Sequence, residues 1–110
     1  MKNSKFTIQS SATILEAIDK ISLNSYRTVI VIENSKVLGV ISEGDILKSI
    51  LKNIDLKANV KISMNKTFKF AKVGQENKAK EIFRKHLIGI LPVLNSKMEL
   101  KEILKIDQYI

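Results

Sequence analysis

The segment Gly39-Val40-Ile41-Ser42-Glu43-Gly44-Asp45-Ile46 concentrates the groups best suited to chemistry. An apolar run meets a glycine, then a hydroxyl, then a carboxylate three residues further on, the order expected where a strand gives way to a helix. Ser42-x-x-Asp45 has the spacing of a capping box, in which each side chain accepts a hydrogen bond from the other residue's backbone N–H. That structural reading is the simpler one. The same geometry also suits a ligand. A helix start presents backbone N–H groups and a positive dipole end to a phosphate, and a hydroxyl there adds a hydrogen bond. A nearby carboxylate repels phosphate but accepts both hydroxyls of a ribose. Cap and ligand site coexist if the ligand displaces the cap.

Other chemistry is sparse. With no cysteine, the chain has no disulfide, thiol nucleophile or Cys-ligated metal. His86 is the only histidine, so a multi-His metal site would need ligands shared between subunits. It falls at a helix end, where an imidazole suits the dipole. Glu76/Glu81 and Glu99/Glu102 sit among lysines and read as solvated charge. Gly39, Gly44, Gly74 and Gly89 are scattered, with no phosphate-binding loop motif. No catalytic residue or metal ligand is expected.

A net charge of +8 invites a nucleic-acid reading, because a basic face neutralises backbone phosphates. The lysines are dispersed, however, with no cluster beyond Lys78/Lys80 and Arg84/Lys85, and aromatic residues make up only 5% of the chain. Dispersed lysine is ordinary surface solvation, so nucleic acid ranks below a small anionic ligand. The N-terminal stretch lacks a signal-peptide core. The longest apolar runs, 28–32 and 87–94, fall far short of the roughly 20 residues a membrane helix needs. A cytoplasmic protein with no membrane partner is expected.

These groups are positioned by a repeated α/β pattern. Phe6-Thr7-Ile8 reads as a short strand. Ser11 or Thr13 caps a helix over 14–23, with Ile14, Ala17, Ile18 and Ile21 at helical spacing. Residues 28–32 are β-branched throughout and read as a buried strand. Residues 33–36 form a tight turn into a partner strand over 37–41. Ser42 opens a second helix with Ile46, Leu47, Ile50 and Leu51 on one face. The order then recurs: a helix over 75–86, a strand over 90–94 and a turn at Asn95-Ser96-Lys97, repeating Asn34-Ser35-Lys36. Residues 98–110 read partly as strand and partly as helix. The pattern divides the single domain of 110 residues into repeat 1 (about 6–52), a packed linker (about 53–63) and repeat 2 (about 64–110). Each copy is too small to bury its own sheet, so the two must pack together.

The two-copy layout, the Gly39-x-x-Ser42-x-x-Asp45 segment and Leu91-Pro92-Val93 together resemble a tandem pair of cystathionine-β-synthase-type (CBS) domains, the Bateman module. The run from Gly39 to Lys48, with Leu51–Leu56 and Ile62–Lys66 after it, is similar to the pairs that precede sugar-phosphate nucleotidyltransferase domains. The resemblance implies an α/β fold of two β-α-β-β-α repeats with pseudo-two-fold symmetry, assembled as a homodimer. It implies a non-catalytic regulatory module binding an adenosine nucleotide (AMP, ADP or ATP) between the repeats, controlling a fused or partner nucleotidyltransferase. Ser42 would contact phosphate and Asp45 the ribose, beside Gly39 and Gly44. Tyr26, Arg27 and Thr28 would meet the base, with Thr7 and Ile8 lining the same cleft. The alternative is a dimerisation or docking module without a ligand.

Repeat 2 lacks the site motif. An offset of 61 sets Leu100, Ile103 and Ile106 against Gly39, Ser42 and Asp45, whereas an offset of 62 sets Lys101, Leu104 and Asp107 there. At most one competent site per chain is expected, with side chains filling the second cleft. The ending Gln108-Tyr109-Ile110 carries no polar tail, and a further domain is expected beyond it.

Overall fold

The computed structural model describes residues 5–110. Repeat 1 runs β1 (Thr7–Gln9), α1 (Ile14–Leu23), β2 (Thr28–Glu33), β3 (Lys36–Ser42) and α2 (Glu43–Leu51). A linker with one 3-10 turn (Val60–Ile62) leads to repeat 2: β4 (Ala71–Lys72), a 3-10 turn (Glu76–Lys78), α3 (Ala79–Lys85), β5 (Ile90–Leu94), β6 (Leu100–Lys105) and a last 3-10 turn (Ile106–Gln108). Each repeat holds a three-stranded sheet of one topology, its first strand parallel to the second and its third antiparallel. The expected α/β fold of two repeats is the observed one.

Burial on both faces explains the continuous β-branched run of β2. Val29 and Val31 face the cluster under α1 and α2, with Ile14, Ala17, Ile21, Ile41 and Ile46. Ile30 faces the other way, into a cluster shared between repeats with Ile90, Leu94 and Ile103. Leu91 and Val93 pack under α3 with Ala79 and Phe83. The hairpin turn at Asn34-Ser35 has positive φ at both residues, 51° and 69°, the backbone that matches strand twist in a two-residue turn.

The structure corrects three expectations. Of the apolar face assigned to α2, only Ile46 turns inward; Leu47, Ile50 and Leu51 are exposed. Ser49 occupies the inward position instead and shares a 2.7 Å hydrogen bond with Ser63 of the linker. The helix expected over 75–86 is shorter: Lys78 supplies no side-chain cap, so its first turn stays 3-10. Repeat 2 also closes on a 3-10 turn where repeat 1 has α2.

The third correction concerns register. Ile32 pairs with Val37, whereas Leu94 pairs with Leu100, so the second hairpin is one residue longer than the first, and neither the offset of 61 nor that of 62 holds along the third strand. The extra residue is absorbed at Met98, which has φ 65°. Gly39 therefore corresponds to Glu102 and Ser42 to Lys105, which carries Asp45 onto Gln108. The matching turn triplets misled the offset, because turns tolerate insertions that strand pairing does not. The site positions of repeat 2 are polar rather than apolar, yet they still lack the hydroxyl and the carboxylate.

The two hairpin tips are joined. Val37 N–H donates to the Met98 carbonyl at 2.9 Å, and Leu100 N–H donates to the Ser35 carbonyl at 3.0 Å. Among the described residues no helix is long and apolar enough to cross a membrane.

Candidate nucleotide cleft

A cleft of about 480 Å³ opens between the repeats, at the end of the sheets away from the hairpin tips. Repeat 1 contributes Tyr26, Arg27 and Thr28 from the start of β2, and Ser42, Glu43, Gly44 and Asp45 from the junction of β3 with α2. Repeat 2 contributes Phe68 and Lys69 from its lead-in, and His86, Ile88 and Pro92 from the opposite wall. The floor is apolar and the rim is charged, which suits a ligand with a flat apolar part and an anionic part.

At the junction, Ser42 is the N-cap of α2, with extended backbone. Ser42 N–H and Oγ donate to Asp45 Oδ2 at 2.9 and 3.0 Å, and Asp45 N–H is 3.3 Å from Ser42 Oγ. The capping box is therefore present, as the sequence predicts. Its partners engage only Oδ2; Asp45 Oδ1 has no hydrogen-bond partner among the described residues and remains available to an incoming hydroxyl. Thr13 and Glu16 form the same reciprocal box on α1, remote from the cleft.

Six of the nine residues singled out from sequence line this cleft: Tyr26, Arg27, Thr28, Ser42, Gly44 and Asp45. Thr7 and Ile8 are instead buried in β1, paired with Ile30 and Val31. The lead-in that lines the cleft is that of repeat 2, because the repeats cross and each approaches the other's site. Gly39 is explained by packing. A Cβ there would lie 2.8 Å from the Asn65 carbonyl, and Asn65 exchanges backbone hydrogen bonds with Val40 at 2.8 and 3.1 Å. His86, read from sequence as a helix-end residue, also reaches the cleft wall. Sequence carried no signal for it, because its place depends on how the repeats dock.

At the equivalent position in repeat 2, Tyr26 of repeat 1 packs closely. The Tyr26 ring lies against Gly89, where a Cβ would be 3.0 Å from the ring. It also packs on Phe6 at 6.0 Å between ring centroids, and its hydroxyl donates to Asp107 Oδ1. Lys105 Nζ sits over the Phe6 ring at 5.1 Å. The Tyr26 hydrogen bond holds the Asp107 carboxyl below its usual range and raises the phenol. The folded Asp107 pKa is depressed, so its contribution is full above the unfolded value near 3.8 and is lost as pH falls through the folded one. The phenol acts oppositely: its contribution is full below about 10 and is lost as pH rises through its raised value. Tyr26→Phe is expected to flatten both limbs. Urea midpoints measured from pH 2 to 11 check this, and superimposable profiles would contradict it.

The family model of the CBS domain matches residues 1–52 of this chain. Solved structures extend the likeness to the rest. The CBS pair of a Mg2+ transporter from Shewanella oneidensis, described as putative in its own name, superposes with a TM-score of 0.79 at 16% identity, covering 94% of this chain and 61% of that one. A CBS domain protein of Pyrobaculum aerophilum complexed with AMP gives 0.73 at 23% identity, covering 92% and 79%. The chain has the CBS-pair fold. The cytosolic domain of the Mg2+ channel MgtE in complex with ATP gives 0.71 at 16% identity, covering 92% of this chain and 42% of that one. A search of curated proteins by sequence returns no match.

Proposed function

We propose that this CBS pair is a non-catalytic regulatory module that binds one adenosine nucleotide per chain. The observation that carries the reading is the cleft itself, which gathers Ser42, Asp45 and a helix start on one side and an apolar floor from the other repeat. Ser42 meets the phosphate, Asp45 Oδ1 accepts from the ribose, and the base lies toward Thr28, Phe68 and Ile88. AMP and ATP in structures of the same fold support the ligand class. The Tyr26 plug supports a stoichiometry of one. Calorimetric titration with AMP, ADP and ATP tests the proposal: one site per chain is expected, and no heat from any of the three would sink it.

The regulated enzyme is proposed to be a sugar-phosphate nucleotidyltransferase, fused or separate, in the cytoplasm. The support is the resemblance of residues 39–66 to pairs that precede such domains. The exposed Leu47, Ile50 and Leu51 on α2, with Leu15 and Leu23 on α1, support a homodimer through these helices, since exposed apolar patches mark interaction surfaces. Sedimentation equilibrium is expected to give twice the 12.4 kDa chain mass and, for Leu47→Lys, a monomer. A monomeric wild type at all concentrations would refute it. The same face supports the second reading, a docking module without a ligand, which gains if titration is silent and the dimer persists.

A further inference from the structure

Arg27 has a fixed stem and a loosely held head. Its backbone sits at φ 54°, a conformation that L residues adopt only when their surroundings impose it. Two hydrogen bonds hold it there: its N–H donates to the Asn24 carbonyl at 3.3 Å, and its carbonyl accepts from Glu43 N–H at 3.2 Å. The guanidinium, by contrast, has a single ion pair among the described residues, to Glu43 Oε2 at 3.3 Å, and the two side chains are 57% and 60% exposed. Arg27 and Glu43 both line the cleft, beside Ser42 and α2's first turn. Its wall also carries Asp45, Lys69 and His86.

We propose that Glu43 is an internal competitor for the anionic ligand, holding the Arg27 guanidinium until a phosphate displaces it. A guanidinium forks onto phosphate as readily as onto carboxylate, and an exposed pair is weak enough to exchange. Binding then proceeds as a swap in which Arg27 turns from Glu43 to the ligand and the carboxylate is released to water. Glu43 thereby sets affinity without touching the ligand. The inference rests on the nucleotide cleft proposed above and assigns a role to two residues within it.

Calorimetry at 0.15 M salt, with AMP and separately with inorganic pyrophosphate, tests the swap on wild type, E43Q, R27Q and the double variant. That salt screens simple repulsion between exposed charges. E43Q is expected to bind about two- to five-fold tighter, the range an exposed pair contributes. R27Q is expected to bind several-fold weaker, and the gain from E43Q should vanish in the R27Q background. Wild-type affinity in R27Q, or a gain from E43Q that persists without Arg27, would overturn the swap. Silence with AMP, and with ADP and ATP in the titration above, beside the expected pyrophosphate pattern would remove the nucleotide reading and leave the swap standing. Silence with both removes both.

Discussion

Asp45→Ala is expected to weaken AMP binding by about 10- to 100-fold and to lower stability by about 1 kcal/mol. The two effects have separate origins. The carboxylate closes the capping box from the N3 position through Oδ2, and an intramolecular hydrogen bond contributes roughly 0.5–1.5 kcal/mol net. It also offers Oδ1 to the ribose, and hydrogen bonds to a charged acceptor contribute about 1.5–3 kcal/mol each. The chain supplies its own control. Glu16 occupies the same place in the box on α1, where Thr13 N–H and Oγ donate to it at 2.9 and 3.1 Å, and no ligand group is near. Glu16→Ala should reproduce the loss of stability and leave AMP affinity at the wild-type value. Equal affinity losses in both variants would mean that Asp45 acts only by holding the helix.

Gly39→Ala is expected to destabilise the fold by about 2 kcal/mol, and Gly39→Val by more. A Cβ at 2.8 Å from the Asn65 carbonyl and 3.0 Å from the Met64 sulfur meets backbone that is itself hydrogen-bonded to Val40 on both sides. Overpacking of this kind typically costs 1–3 kcal/mol. Gly44→Ala is the contrast, because its Cβ would meet only Ser42 Oγ at an ordinary 3.7 Å. Within a helix the change from glycine to alanine contributes up to about 1 kcal/mol. Urea unfolding of the two alanine variants should therefore move in opposite directions. A Gly39→Ala midpoint at or above wild type would show that the 64–65 segment yields without cost.

These two glycines show what was legible in sequence. Local chemistry was readable: the Ser42–Asp45 box, the buried run of β2 and a cap at Ser11 or Thr13, which the structure places at Thr13, all follow from neighbours in the chain. The doubling of the unit was readable too, because element order repeats. What failed depended on how one repeat meets the other. Thr7 and Ile8 look equivalent to residues that face a site, yet the lead-in of the opposite repeat does that. Gly39 sits in a ligand-like motif, but its small size serves the chain passing over it. The register of repeat 2 slipped because Asn95-Ser96-Lys97 copies the first turn in letters while its loop carries one more residue. Leu47, Ile50 and Leu51 have core spacing on a helix whose inward face is too narrow to take them.

The hydrogen bonds between the hairpin tips have a mechanical consequence. They bind the two sheets along one edge, like the spine of a book, while the cleft lies at the fore-edge. A relative rotation of the repeats about that spine would move Ser42 and Ile88 further than Ser35 and Met98. On the neighbouring part of the fore-edge, Tyr26 and Asp107 clasp the covers together. The repeats are thus tied at two separate places, on either side of the apolar cluster they bury together.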